Sequence, residues 1–370
     1  MDNYTDPDLY GDMDNSSVTP GSCGDFRNYT SVPMSVSDQI IVYTALELLV
    51  FGLCGNVAII LVLRRDRVCR SASTVFLFCM ALADCATLIL GLLPEWLLSS
   101  GTLHFTEISP WTCRWKRFLH FTAGDMATWL LVIFSLDRCW KILHTVRGRG
   151  CGSSTCAIVC STLVLLCASL KNLHIFWTRG STYDDEGCLV GNCRNLYPFF
   201  SKNILPWLRH AFVSIVPFCL IAVCNALIIK KIVESKRRIV ATGRSAYSRT
   251  MVMCVSASFA FLVLECPVFI VLTGREYWPK TETLDISFKV TILLTYMNHS
   301  INVLLFSGSS AIFRLDLWAL VKRTPSWRQR QKQMRILGRN GFLHQDAIRR
   351  KFTLSAITVD DDSTSESRDE

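Results

Sequence analysis

Seven long apolar stretches alternate with short polar connections along this chain. They run over Ile40–Leu63, Ser73–Leu98, Trp115–Cys139, Thr155–Trp177, Ile204–Val233, Tyr247–Thr273 and Ile286–Ser309, the fourth and seventh being the least uniform. Each exceeds the ~20 residues a helix needs to cross a hydrocarbon layer roughly 30 Å thick. Hydrocarbon offers backbone N–H and C=O groups no partner, so a spanning segment satisfies them internally as helix. The pattern therefore predicts an all-α membrane protein, a seven-transmembrane helix bundle. Beyond the seventh stretch, Ala311 to Trp318 places apolar residues at helical spacing, which predicts a short interfacial eighth helix. The expected organisation is an acidic extracellular tail (1–38), the bundle (39–310), the interfacial helix (311–320) and a cytoplasmic tail disordered by composition (321–370).

Composition supports lipid as the solvent. The chain of 370 residues is 50% hydrophobic and only 19% charged, too apolar for a soluble protein of this length. Its net charge of +9 belongs to topology. Arg64, Arg65 and Arg67 follow the first stretch, Lys141, Arg147 and Arg149 the third, and Lys230, Lys231, Lys236, Arg237, Arg238 and Arg244 the fifth. Connections rich in Lys and Arg stay in the cytoplasm. An odd number of spans then puts the N-terminus outside and the C-terminus inside, as expected of a multi-pass plasma-membrane protein. No DNA- or RNA-binding motif accompanies the basic residues, so nucleic acid is not an expected partner.

The outer segments carry their own signals. Residues 1–38 contain seven Asp and no apolar run resembling a secretory signal, which leaves export to the first span. Asn3, Asn15 and Asn28 each begin an Asn-x-Ser/Thr triplet and are candidate glycan acceptors. Of seventeen cysteines, Cys23, Cys113, Cys188 and Cys193 fall in predicted extracellular positions, where disulfides persist. A bridge from Cys113 to Cys188 or Cys193 would pin the loop over the bundle mouth, and spacing does not choose between them. At the other end, Ser363, Thr364, Ser365 and Ser367 sit in acidic context. They are candidate phosphorylation sites, whose added charge a basic partner such as arrestin could read. The basic stretch from Lys322 to Lys351 suits anionic inner-leaflet lipid.

Ordered landmarks within the spans resemble the rhodopsin-like (class A) G-protein-coupled receptors over residues 40 to 315. Gly55-Asn56 lies in the first span, Leu82-Ala83-Asp84 in the second, and Asp137-Arg138 at the end of the third. Pro217 and Pro267 lie in the fifth and sixth, and Asn302 in the seventh. An intramembrane carboxylate such as Asp84 requires partners, and Asn56 and Asn302 are plausible ones. The resemblance implies an activation switch through Asn56, Asp84, Phe261, Pro267, Asn302 and Phe306. It also implies G-protein coupling through Asp137 and Arg138, Arg138 being held by Asp137 at rest. A polar clasp without switching, and a snorkelling Arg138, are the bland alternatives.

The chain departs from that family at several points. Asn302-Val303-Leu304-Leu305-Phe306 replaces Asn-Pro-x-x-Tyr, losing the proline kink and the tyrosine hydroxyl. Leu264-Glu265-Cys266-Pro267 carries Glu265 in place of a tryptophan, and Asn225 stands where the fifth helix often has tyrosine. These changes suggest a divergent receptor or weakened signalling. His120 in place of the aminergic aspartate disfavours a monoamine, and Tyr296 in place of the opsin lysine disfavours retinal.

The remaining ionisable and aromatic groups predict a ligand pocket at Glu95, His120, Asp125, Glu265 and Tyr296. Lys171 and Lys289 read as snorkelling side chains. The acidic tail and Asp184-Asp185-Glu186 would attract a cationic ligand, so a basic neuropeptide fits the outer field. A transporter or channel is the competing class, but the repeat symmetry typical of transporters is not evident. Catalysis is the poorest fit, since no nucleophile elbow, zinc motif or phosphate loop appears, and no metal or cofactor is expected.

Overall fold

A computed structural model describes residues 35–65, 71–100, 109–143, 153–183, 189–239, 245–274, 278–279, 281–309 and 311–324. Asn3, Asn15, Asn28, Cys23, Cys188, the run Asp184 to Glu186, Ser363, Thr364, Ser365 and Ser367 lie outside the described residues. The chain divides into two units, Met1–Phe313 and Arg314–Glu370.

The first unit holds the spanning helices. They are α1 (Val36–Arg65), α2 (Ala72–Ser99), α3 (Pro110–Leu143), α4 (Ser154–Thr178), α5 (Leu205–Arg209, His210–Ile215 and Val216–Ile239) and α6 (Ser245–Gly274). The seventh span is a pair, α7 (Glu282–Ser300) and α8 (Asn302–Ser309), bent by 48°. Among the described residues six helices are each long and apolar enough to cross a membrane, and the bent pair, counted as one span, makes seven. The predicted spans fall on these helices, with ends displaced by up to several residues.

Local chemistry sets the helix starts and irregularities. Ser71, Ser153 and Thr281 cap α2, α4 and α7, each side chain accepting from an N–H three residues on. Among the described residues three widened turns precede prolines, one of them Phe200–Ile204 before Pro206. Leu88–Leu92 comes before Pro94 in α2, and His210–Ile215 comes before Pro217 in α5. Proline removes a donor and clashes with the carbonyl four residues back, and the wider turn absorbs both faults. Such a turn re-aims the side chains beyond it, among them Glu95 in α2.

Between α4 and α5 the chain forms an antiparallel pair, β1 (Arg179–Tyr183) and β2 (Leu189–Asn195). Cys193 of β2 is bonded to Cys113 of α3 with a Cα–Cα distance of 5.8 Å, which resolves the choice left open by spacing. Arg114 Nε donates to the Arg179 carbonyl at 2.7 Å and fastens the same hairpin to α3.

Small residues permit close helix contact. A Cβ built on Gly52 would lie 2.5 Å from Ser300 Oγ, and one on Gly55 would lie 2.7 Å from Val303 Cγ1. α1 therefore packs directly on the break between α7 and α8, as small residues allow in lipid. An apolar cluster that includes Ile41, Leu92, Phe269, Phe288 and Ile292 joins α1, α2, α6 and α7 nearby.

The bend in the seventh span corrects one expectation, because it persists without proline. Val303 occupies the expected proline position, yet the helix breaks at Ile301, whose φ of −83° and ψ of −1° depart from helical values. The Leu304 N–H bonds the Ile301 carbonyl at 2.9 Å across the break. Helix α9 (Ala311–Val321) follows. It ends at Arg323, whose φ of 51° is left-handed, and Thr324 N–H returns to the Ala319 carbonyl at 2.9 Å.

Candidate functional site

At mid-bundle, Asp84 of α2 is 1% exposed and uses both carboxylate oxygens. His299 Nδ1 of α7 lies 2.7 Å from Oδ1, and Asn302 Nδ2 of α8 donates to Oδ2 at 2.7 Å. Asn56 does not fill the expected role of a direct Asp84 partner. Its Nδ2 donates to the carbonyls of Gly52 at 3.0 Å and His299 at 2.9 Å, so it holds α7 backbone against α1. The three helices are thus tied around one buried carboxylate, and the ties fall on either side of the break at Ile301.

On α6, Glu265 is 5% exposed and accepts from Asn298 Nδ2 of α7 at 3.3 Å. It lies well inside α6, so it is an interhelical contact and not a helix-end residue. Phe261, also buried, packs one turn below, and Pro267 lies within the same helix. Since Asn298 and His299 are adjacent, the α6 carboxylate and the α2 carboxylate are bound by neighbouring residues of a single α7 turn.

Tyr296 and His120 are both buried, with ring centroids 6.3 Å apart. Gly91, in the widened turn of α2, lets them approach. A Cβ there would overlap His120 Cε1 and Tyr296 Oη. Glu95 stands within the electrostatic reach of Lys116, Arg117 and Lys289.

Asp125 belongs elsewhere. Lys171 Nζ of α4 lies 2.7 Å from its Oδ2, and Asn172 Nδ2 donates to it at 2.6 Å, so Asp125 clamps α3 to α4. Lys171 and Lys289 are likewise not mere snorkelling groups. Lys289, fully buried, bonds Asp38 of α1, and each lysine neutralises a carboxylate on another helix. Pairing of this kind is how charge is kept at membrane depth.

At the C-terminal end of α3, Asp137 is 8% exposed and meets two cations. Arg138 lies 3.0 Å from Oδ2, and Lys141, one turn on, lies 2.6 Å from the same oxygen. The Arg138 guanidinium also packs over Phe134 at 5.1 Å. Phe306 of α8 is buried and meets the Phe313 ring edge-on at 6.1 Å.

The structure thus joins Asp84 with Asn302, and His120 with Tyr296, while Asp125 points to a different helix. Sequence reasoning missed His299, Lys141 and the inward roles of Lys171 and Lys289. His299 had one available signal, since it stands three residues before Asn302 and shares its helix face.

Comparison with known proteins is consistent with this geometry. The family model described as 7 transmembrane receptor (rhodopsin family) matches residues 55–305. The G-protein coupled receptor E1 of Equine herpesvirus 2 (strain 86/87) is 24% identical over 84% of this chain and 80% of its own length. The oxytocin receptor of Ovis aries is 30% identical over 61% of this chain and 56% of its own. The C-X-C chemokine receptor type 3 of Homo sapiens is 25% identical over 77% of each chain.

Proposed function

Because the chain belongs to the rhodopsin family of seven-transmembrane receptors, a family of signalling receptors and not enzymes, we propose that it binds an extracellular peptide and activates a heterotrimeric G protein by helix rearrangement. The observation that carries this reading is the linked set Glu265, Asn298, His299, Asp84 and Asn302, which connects α6, α7 and α2 through adjacent bonds. A ligand that moves α6 at Glu265 displaces Asn298, and the same turn carries His299 away from Asp84. Repacking around Ile301 then releases the cytoplasmic ends. Arg138 leaves Asp137 and meets the G protein.

Glu95, His120, Glu265 and Tyr296 form the ligand-facing set in this reading. A peptide ligand is supported by the names of the oxytocin and chemokine receptor relatives. The chain resides in the plasma membrane with its N-terminus outside, where Asn3, Asn15 and Asn28 accept glycans. Helix α9 lies in the inner membrane interface, and phosphorylation at Ser363, Thr364, Ser365 and Ser367 recruits arrestin.

The test is a peptide library applied to cells displaying the protein with a promiscuous G-protein reporter. A response that disappears in Arg138→Ala at equal surface level supports the reading. Uptake or current in place of a G-protein response, or a response untouched by Arg138→Ala, overturns it.

A further inference from the structure

Two free thiols meet between α3 and α5. Cys139 of α3 is 6% exposed, Cys224 of α5 is 4% exposed, and their side chains share a hydrogen bond. Their packing is apolar. Ile142 follows Cys139 on the same face of α3, Ile228 follows Cys224 by one turn of α5, and Val255 of α6 packs against this cluster. Cys139 also directly follows Arg138, whose guanidinium is held by Asp137.

A lone thiol in apolar surroundings is ordinary packing. Cys79, whose neighbour is the Ser161 hydroxyl, is an example. A second thiol in contact changes the chemistry, because it captures the first oxidation product before further oxidant arrives. Burial of both sulfurs also selects the reagent. It admits a small neutral oxidant such as hydrogen peroxide and keeps out bulky charged thiols such as glutathione.

We propose that Cys139 and Cys224 are an oxidation site, closed by a peroxide into a disulfide that fastens the third span to the fifth beside Arg138. One thiol gives up its proton and attacks a peroxide oxygen, breaking the O–O bond and leaving a sulfenic acid and water. The second thiol displaces that hydroxyl as another water and forms the S–S bond. Two thiols thereby lose two protons and two electrons, and one hydrogen peroxide becomes two waters. Sulfurs already in contact have a short way to move to the ~2 Å of a disulfide. The consequence for signalling rests on the receptor reading above. The bridge ties α5 to the helix that carries Arg138 and restrains the rearrangement that reaches the G protein.

The experiment treats purified full-length protein with excess hydrogen peroxide, blocks the remaining thiols with N-ethylmaleimide and digests the chain without reductant. Mass spectrometry is expected to find a peptide pair joined through Cys139 and Cys224 that untreated protein lacks. Recovery of the two residues as free thiols, as separate higher oxides or bonded to other cysteines overturns the proposal, and the wild-type spectrum decides this whether or not a variant folds. In reporter cells challenged with the peptide library, brief peroxide exposure is expected to lower the response about fivefold in wild type and not in Cys224→Ala. A bridge that forms while the response stays unchanged overturns the regulatory consequence. Absence of any response before peroxide counts against the receptor reading alone, since the spectrum decides the bridge independently.

Discussion

His299 and Asp84 meet at 2.7 Å between α7 and α2, and this contact ties the second span to the seventh. Asn302 takes the other oxygen and Asn56 holds the His299 carbonyl, so the contact is braced from both sides. Removing one partner of a buried ionisable pair leaves the other uncompensated, at a cost of about 3 kcal/mol. His299→Ala is expected to lower the unfolding midpoint clearly, whereas Asp84→Asn combined with His299→Ala recovers part of the loss. Thermal unfolding of the purified variants decides it, and an unchanged midpoint in His299→Ala would contradict the assignment.

Lys141 competes with Arg138 for one oxygen of Asp137. Its side chain is 30% exposed, so the contact contributes little to stability, about 1 kcal/mol or less. Its effect is on the restraint of Arg138. Lys141→Ala is expected to leave Asp137 to Arg138 alone and to reduce ligand-independent G-protein signalling, measured with a reporter at matched surface level. Raised signalling would mean that Lys141 reinforces the resting state.

Gly91 and Gly52 are set by close approach. A methyl group at Gly91 would intrude on His120 and Tyr296, and one at Gly52 would intrude on Ser300 and Leu88. Overpacking of this sort costs about 1–3 kcal/mol. Gly91→Ala is expected to impair ligand response, and Gly52→Ala to lower surface abundance. Gly124, where an added methyl would have nothing within 4 Å, serves as the neutral control. Flow cytometry and dose–response curves on the three variants distinguish local fit from general sensitivity.

The Cys113–Cys193 bridge spans a sequence separation of 80 residues. Its loss is expected to cost about 2–5 kcal/mol and to remove the anchor that Arg117 uses at Cys193. Cys193→Ser should therefore lose surface expression or ligand response, with Cys188→Ser much less affected. The reverse ranking would reassign the bridge.

The spans were legible in the chain because lipid enforces one secondary structure and one minimum length. Asp84, Asn302, Arg138 and Pro267 were legible because a polar group or proline in an apolar run stands out. What pairs with what was not. Lys171 and Lys289 look like ordinary helix-end lysines until α3 and α1 place Asp125 and Asp38 beside them. His299 is hidden in the same way, since its role depends on a carboxylate more than two hundred residues away. The seventh-span bend is hidden for a different reason. Proline is one cause of a kink, and its absence does not imply a straight helix.

A rigid pyrrolidine ring would make that bend a fixed elbow. Here the elbow at Ile301 is kept by side-chain ties to Asp84 and by α1 pressed against Ser300 and Val303. Its angle is therefore a reversible quantity, set by whether those ties are made. Spin labels placed on α7 and α8 should report a straighter rod when Asp84→Ala severs them, and Val303→Pro should restore the angle.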